Sequence, residues 1–332
     1  MKDSAIDRAN ASPLISVVAP FYDEEPVIDQ FFRQVVGVLE NIGTAWEIVC
    51  VDDGSSDRTL DLLLAAARLN PAIKVLQLSR NFGKEAALTA GLEASGGDVV
   101  VLIDADLQDP PGLIGQMLDK WREGFDIVYG VRQSRSSDSL GKRVTADGFY
   151  RVFNQLTPTP LPENAGDFRL MDRRVVDRVR ELPERTRFMK GLFAWVGFKS
   201  TAVAFDRPGR QAGKSAWNYW KLWNFALDGL TSFSTMPLRV WTYVGLSVSL
   251  LAFVYATFLV LRTLVAGVDL PGYASLMVVI LFLGGIQLIS LGVIGEYLGR
   301  VFIEVKQRPV YLVDRVYQFP AAAAPENGDD QA

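Results

Sequence analysis

Val99-Val100-Val101-Leu102-Ile103-Asp104-Ala105-Asp106 decides the fold of this 332-residue chain. Five apolar residues, mostly β-branched, run straight into two carboxylates one residue apart. The run reads as a buried strand with the carboxylates at its C-terminal end. In open α/β sheets that end is where ligands bind. Mg²⁺ is usually held by one or two carboxylates together with substrate phosphates. Asp104 and Asp106 therefore point to a metal-bound nucleotide. An Asp-x-Asp is also an ordinary polar loop after a strand, and the tripeptide alone does not separate the two.

The neighbouring sequence does. Leu14–Ala19, Glu47–Val51, Lys74–Leu78, Asp98–Ile103 and Ile127–Gly130 read as strands. Helix-like stretches lie between them, near 25–41, 56–69, 84–95 and 111–123. Strands alternating with helices predict a mainly parallel, Rossmann-like α/β sheet with right-handed crossovers. Polar residues follow several strands: Asp23 and Glu24, Asp52 and Asp53, Ser79 and Arg80, Asp104 and Asp106. A parallel sheet gathers these ends on one edge.

Composition narrows the chemistry. The chain has no histidine, which excludes a His base, a Ser-His-Asp triad and His metal ligands. Its net charge of −4 carries no signature of nucleic-acid binding. The single cysteine, Cys50, lies in an apolar run and reads as an inert core thiol. The polar stretch Met1–Ser12 has no apolar core, so no signal peptide is expected.

The second half changes character. Val240–Leu261 and Ala274–Gly295 are 22-residue runs without a charge. Each makes a helix of roughly 33 Å, enough to cross a hydrocarbon core of about 30 Å. Gly284-Gly285 and the pair Gly292 and Gly295 offer small faces for packing in lipid. The connection from Arg262 to Tyr273 carries one Arg and one Asp, whereas Arg239 and Arg300, Lys306, Arg308 and Arg315 flank the runs. The positive-inside rule then sets both flanks, and the N-terminal domain, in the cytoplasm. Trp217, Tyr219, Trp220, Trp223, Phe225 and Phe233, mixed with Lys214 and Lys221, suit an amphipathic helix at headgroup level.

The expected organisation is a polar tail (1–12), a cytoplasmic catalytic domain (13–213) and an interfacial helix region (214–238). A two-helix transmembrane domain (239–300), a cytoplasmic segment (301–319) and a disordered tail (320–332) follow. A nucleotide-and-metal site above a membrane suits a phosphate acceptor, which is already anionic and needs cations rather than a histidine base. Arg207, Arg210, Lys214 and Ser215, in Arg207-Pro208-Gly209-Arg210-Gln211-Ala212-Gly213-Lys214-Ser215, are candidates to receive a lipid phosphate. The same segment also reads as a solvated basic loop.

At this point the chain resembles the family 2 inverting glycosyltransferases of the GT-A fold, and among them the polyprenyl-phosphate hexosyltransferases. Pro20-Phe21-Tyr22-Asp23-Glu24 matches the family's Pro-x-Tyr-Asn-Glu, with Asp23 in place of Asn. Val51-Asp52-Asp53-Gly54-Ser55-Ser56-Asp57, Arg80-Asn81-Phe82-Gly83-Lys84 and Asp104-Ala105-Asp106-Leu107-Gln108-Asp109-Pro110-Pro111 match in order. Arg210, Gly213 and Ser215 fit an Arg-xx-Gly-x-Ser-Lys element in which Ala216 replaces the Lys. Gly295-Glu296-Tyr297-Leu298-Gly299-Arg300 through Lys306-Gln307-Arg308-Pro309 is similar to the two-helix bactoprenol glucosyltransferase type.

The resemblance implies that Pro20, Tyr22, Glu24, Asp52, Lys84, Asp104, Ala105 and Gln108 line the donor site. Asp106 would hold Mg²⁺ or Mn²⁺, with Asp104 and Gln108 as further candidates. Asp104 and Asp106 share a face only while the backbone stays extended. Asp167, read as a loop Asp before a strand, is a candidate to hold a donor hydroxyl or steer the acceptor. Arg132, Arg169 and Arg210 are candidates for donor or acceptor phosphates, and Arg132 and Arg169 equally for structural ion pairs. The implied reaction moves a hexose, foremost glucose from UDP-glucose, to undecaprenyl phosphate in a homo-oligomer, with a tetramer allowed. Mannose, galactose or aminoarabinose donors, a processive synthase and a catalytically silent nucleotide-binding scaffold are the rivals. The Gln-xx-Arg-Trp motif of processive synthases is missing, and no Gly-x-Gly-x-x-Gly follows the first strand.

Overall fold

The computed structural model describes residues 8, 11–132, 154, 157, 165–205, 234–266 and 272–320. Eight strands form one sheet: β1 (Ile15–Phe21), β2 (Trp46–Asp52), β3 (Ile73–Leu78), β4 (Val99–Leu102), β5 (Ile127–Arg132), β6 (Ala165–Asp172), β7 (Ser200–Phe205) and β8 (Val313–Tyr317). Their spatial order is β7-β5-β6-β4-β1-β2-β3-β8. The run β4-β1-β2-β3 is parallel throughout, as the strand–helix alternation predicts. β5 and β7 also pair in parallel, while β6 runs antiparallel between β4 and β5.

Helices cover both faces. α1 (Ile28–Ile42), α2 (Thr59–Leu69) and α4 (Leu113–Arg122) bury Phe31, Leu39, Leu63, Ile114 and Met117 against Val17, Ala19, Cys50 and Val101. α3 (Lys84–Ala94), α5 (Arg173–Glu181) and α6 (Met189–Trp195) bury Ala87, Leu88, Val176, Met189 and Leu192 against Val18, Val49, Val51 and Val100. Alternate residues of β1 thus feed opposite cores, the period-2 pattern of a strand buried on both sides. Burial pushes the Cys50 thiol far above its ordinary range, consistent with an inert core thiol.

Two long helices follow: α7 (Met236–Ala266, 31 residues) and α8 (Tyr273–Lys306, 34 residues). Both are long and apolar enough to cross a membrane, and their apolar side chains face outward. α8 outruns the uncharged stretch by eleven residues, carrying Glu296, Arg300, Glu304 and Lys306. The Tyr297 hydroxyl donates to Ser234 O at 2.5 Å, tying α8 to the entry of α7.

The segment after α8 returns to the sheet. β8 pairs antiparallel with β3, and the Tyr317 hydroxyl donates to Gln77 at 3.1 Å. The β3 edge is therefore closed by chain that comes from the apolar hairpin. Most of the expected interfacial helix region (214–238) and the tail after Pro320 lie outside the described residues.

Candidate active site

The loops after β1 and β2 are sewn together. The Asp23 carboxylate accepts from Ser56 N at 2.7 Å, Asp23 N donates to Ser55 Oγ at 3.1 Å, and Glu24 N donates to Thr59 Oγ1 at 2.9 Å. Asp23 has φ +53°, a conformation that Asp and Asn adopt more readily than other side chains. That accounts for an Asp where the resembling family has Asn. Tyr22, at this rim, is 47% exposed. Asp52 is 1% exposed and accepts from Ser55 N at 3.4 Å; burial pushes its carboxyl above the ordinary range.

The adjacent Asp53 and Gly54 have a different task. Asp53 accepts from Phe82 N at 2.7 Å and Gly83 N at 2.9 Å. Gly54 has φ +71°, and a Cβ there would lie 2.5 Å from the Arg80 carbonyl carbon. Only glycine allows this approach. The pair fixes residues 80–83, which deliver Lys84 as the first residue of α3.

Lys84 stands at the centre. Its Nζ lies 2.6 Å from Asp104 Oδ1 and 2.5 Å from Asp167 Oδ2. The sheet explains why two carboxylates meet there. β4 and β6 pair Leu102 with Arg169, so the chain leaving β4 carries Asp104 alongside the start of β6, which holds Asp167. Like charges repel, and Lys84 sits between them. Burial opposes the Lys84 charge, but Asp104 and Asp167 outweigh it and hold the ammonium well above its usual range. Burial likewise opposes ionisation of Asp167, but Lys190, Lys84 and Arg169 hold its carboxyl far below the ordinary range. Asp167 lies within β6 rather than in a loop before a strand.

Asp104 and Asp106 turn to different partners. β4 ends at Leu102 and the backbone turns at 105–106, so the extended geometry needed for a shared face is not kept. Asp106 accepts from Gln108 N at 3.2 Å and from Gln108 Nε2 at 2.5 Å, closing a short turn with Leu107 at φ +53°. Ala105 is buried beneath the turn, as is Gln108. Among the described residues, no group of three or more carboxylates and other His or Cys ligands converges into an all-protein cage. Asp106 and Gln108 share this short turn, while Asp104 faces Lys84.

Two residues without a sequence signal complete the centre. Lys190 of α6 lies 3.8 Å from Asp167 Oδ1. Glu85, next to Lys84, accepts from Met189 N at 2.8 Å. Burial and the Asp167 charge push its carboxyl up to about 7, against the Met189 N–H, Lys84 and Lys190. A Lys inside Phe188-Met189-Lys190-Gly191 carries no motif, and α6 had no expected boundary.

Arg169, a candidate phosphate ligand, is 5% exposed. Its guanidinium donates to Gly166 O at 2.8 Å and Asp167 O at 3.3 Å and lies 4.2 Å from the Phe193 ring centre. It braces the strand that carries Asp167 through carbonyl and ring contacts. Pro20 lies within β1 and Arg132 ends β5, though the Arg132 side chain lies outside the description. Arg207, Arg210, Lys214 and Ser215 lie outside the described residues.

The model of glycosyl transferase family 2 matches residues 16–180, and the GtrB C-terminal hairpin matches residues 236–301. An uncharacterized glycosyltransferase of Synechocystis is 58% identical, over 91% of this chain and 95% of that protein. The SfII prophage-derived bactoprenol glucosyl transferase of Shigella flexneri is 48% identical, over 92% of this chain and 98% of that protein. Among solved structures, glucosyl-3-phosphoglycerate synthase from Mycobacterium tuberculosis with Mn²⁺ and UDP-glucose aligns at 20% identity over 68% of this chain and 80% of that one, with a TM-score of 0.46. Motif order, sheet, hairpin and near-full-length relatives agree: the chain is a glycosyltransferase that belongs to glycosyl transferase family 2 and carries the GtrB C-terminal hairpin.

Proposed function

We propose that the protein transfers a hexose, foremost glucose from UDP-glucose, to a polyprenyl phosphate at the cytoplasmic membrane face, with inversion at the anomeric carbon. The observation that carries this reading is the junction of site and membrane hairpin. The sheet whose C-terminal edge holds Asp52, Asp104 and Asp167 is completed by β8, the next element after α8. A soluble donor and a lipid acceptor are the substrates such a junction suits. The 48% identity to bactoprenol glucosyl transferases supports the same acceptor class.

In this reading Pro20, Tyr22, Glu24 and Asp52 hold the nucleoside beside the joined β1 and β2 loops. Lys84 lies at contact distance from Asp104 and Asp167, whose carboxylate oxygens are acceptors for ribose or sugar hydroxyls. Lys84 and Lys190 also bring positive charge towards the donor phosphates. Arg132, Arg207, Arg210, Lys214 and Ser215 are proposed to orient the donor and acceptor phosphates. An oxygen of the lipid phosphate forms the new bond to the anomeric carbon while the bond to UDP breaks, and the electron pair leaves with UDP. The nucleophile is already an anion, so no residue need remove a proton, which fits a chain without histidine. Asp106, with Asp104 and Gln108, would hold Mg²⁺ or Mn²⁺, which supplies positive charge against the diphosphate leaving group.

The proposed organisation keeps residues 13–213 and both termini cytoplasmic, residues 214–238 at the interface and residues 239–300 spanning the bilayer, in a homo-oligomer. The test is initial-rate assay of purified protein with undecaprenyl phosphate and a panel of UDP-glucose, UDP-galactose, GDP-mannose and a UDP-aminoarabinose donor. UDP-glucose is expected to give the highest kcat/KM. Preference for another donor keeps the reaction class and overturns the sugar. Nucleotide binding without transfer from any donor favours the silent scaffold.

A further inference from the structure

The chain passes from α5 to α6 through residues 182–188. Partly buried backbone N–H groups in such a crossing need acceptors. Those of Arg185 and Thr186 share one side chain. Glu304 Oε1 accepts from Arg185 N at 2.9 Å and Thr186 N at 3.1 Å, and Oε2 accepts from Arg185 N at 3.1 Å. Glu304 belongs to α8, the second apolar helix, more than 100 residues along the chain. At the other end of this short crossing, Met189 N donates to Glu85. Two carboxylates thus grip the ends of segment 185–189, one from the membrane hairpin and one from α3. Lys190, facing Asp167, is the next residue.

A second contact runs the same way. Beyond α8, the Tyr311 hydroxyl donates to Glu93 Oε2 at 2.5 Å. Glu93 lies on α3, the helix that begins with Lys84 and Glu85. The exit of α8 therefore touches α3, which brings Lys84 to Asp167, and the crossing that leads into α6, which brings Lys190.

We propose that Glu304 is a positioning residue that couples the membrane hairpin to the catalytic centre, setting α6 and Lys190 against Asp167 through the N–H groups of Arg185 and Thr186. Its kinetic consequence rests on the transferase reading; its structural consequence does not. A carboxylate accepting N–H bonds makes stronger contacts than a neutral acceptor, so its loss releases the segment rather than merely loosening it.

The test compares full-length wild type, E304A, E304Q and the control E296Q in lipid nanodiscs. Glu296 pairs with Arg300 on its own helix at 3.3 Å, away from the crossing. Hydrogen exchange at 185–190 is expected to rise about tenfold or more in E304A, given the usual strength of hydrogen bonds to charged groups. E304Q, which keeps one accepting oxygen, is expected between E304A and wild type, and E296Q at wild type. In the transfer assay, kcat in E304A falls about tenfold while donor KM stays within about threefold, and E304Q recovers part of the loss. Unchanged exchange at 185–190 in E304A overturns the coupling whatever the rates do. Faster exchange with unchanged kcat also overturns it, leaving Glu304 as a cap only. If the wild type forms no glycolipid with any donor, the transferase reading fails and the exchange result alone decides the coupling. If E304A does not fold, E304Q carries the same comparison at smaller amplitude.

Discussion

Lys84 bridges two carboxylates, one just past the end of β4 and one near the start of β6. K84M leaves those charges opposed, and turnover is expected to fall about 100-fold or more, the scale of losing a preorganised charge contact. A purified, folded K84M with near-normal kcat would remove Lys84 from the centre. D106N is expected to abolish turnover at saturating Mg²⁺ or Mn²⁺ in the same assay, and near-normal rates would remove Asp106 from the metal role. Glu85 makes a prediction about pH. Its folded carboxyl titrates at about 7 against an ordinary 4.5, so the folded chain binds its proton more tightly than the unfolded chain. Stability from this group is full below about pH 4.5 and is lost as pH rises through about 7. E85Q should flatten that slope, a change on the order of 2 kcal/mol between pH 5 and 8, read from unfolding curves at both values. Parallel wild-type and E85Q profiles would contradict it. The carboxylates of this centre were legible because strands announce their ends: Asp52, Asp104 and Asp106 each follow an apolar run. Glu85 and Lys190 were not, because a charged residue at the start of a helix looks like any solvated position until tertiary packing covers it.

At the scale of elements, the Asp53-Gly54 turn is the least replaceable piece. G54A puts a Cβ against the Arg80 backbone at φ +71° and should cost about 2 kcal/mol or more of stability, together with donor binding. Thermal melts and donor titration check this, and wild-type values for both would contradict the account. The four parallel strands were readable because each is a continuous apolar run of the kind buried on both faces. β6 was harder: Ala165–Asp172 carries Asp167, Arg169 and Asp172 among its apolar residues, and its neighbours in the sheet are far off in sequence. β8 was hidden for a different reason. Val313–Tyr317 is five residues with two charges, following a long apolar helix, and nothing local says that it returns to β3. The apolar runs marked α7 and α8, but the helices outlast them because charged residues such as Arg239, Glu296 and Arg300 continue a helix beyond its apolar run.

At the scale of the whole molecule, one chain joins a family 2 glycosyltransferase domain to a long apolar hairpin. Among the described residues, the attachments between them include the β3–β8 pairing, the Glu304 carboxylate and the Tyr311 hydroxyl. Family membership leaves the sugar and the acceptor to be measured, and they are best measured together. Purified protein in lipid is incubated with undecaprenyl phosphate and a mixture of nucleotide sugars, and the lipid product is analysed by mass spectrometry with assignment of the anomeric linkage. The expected product is a polyprenyl monophosphate carrying a single β-linked glucose, absent when D106N replaces the wild type. A polymeric glycan, a retained α linkage, or free sugar and UDP with the lipid unchanged would contradict it.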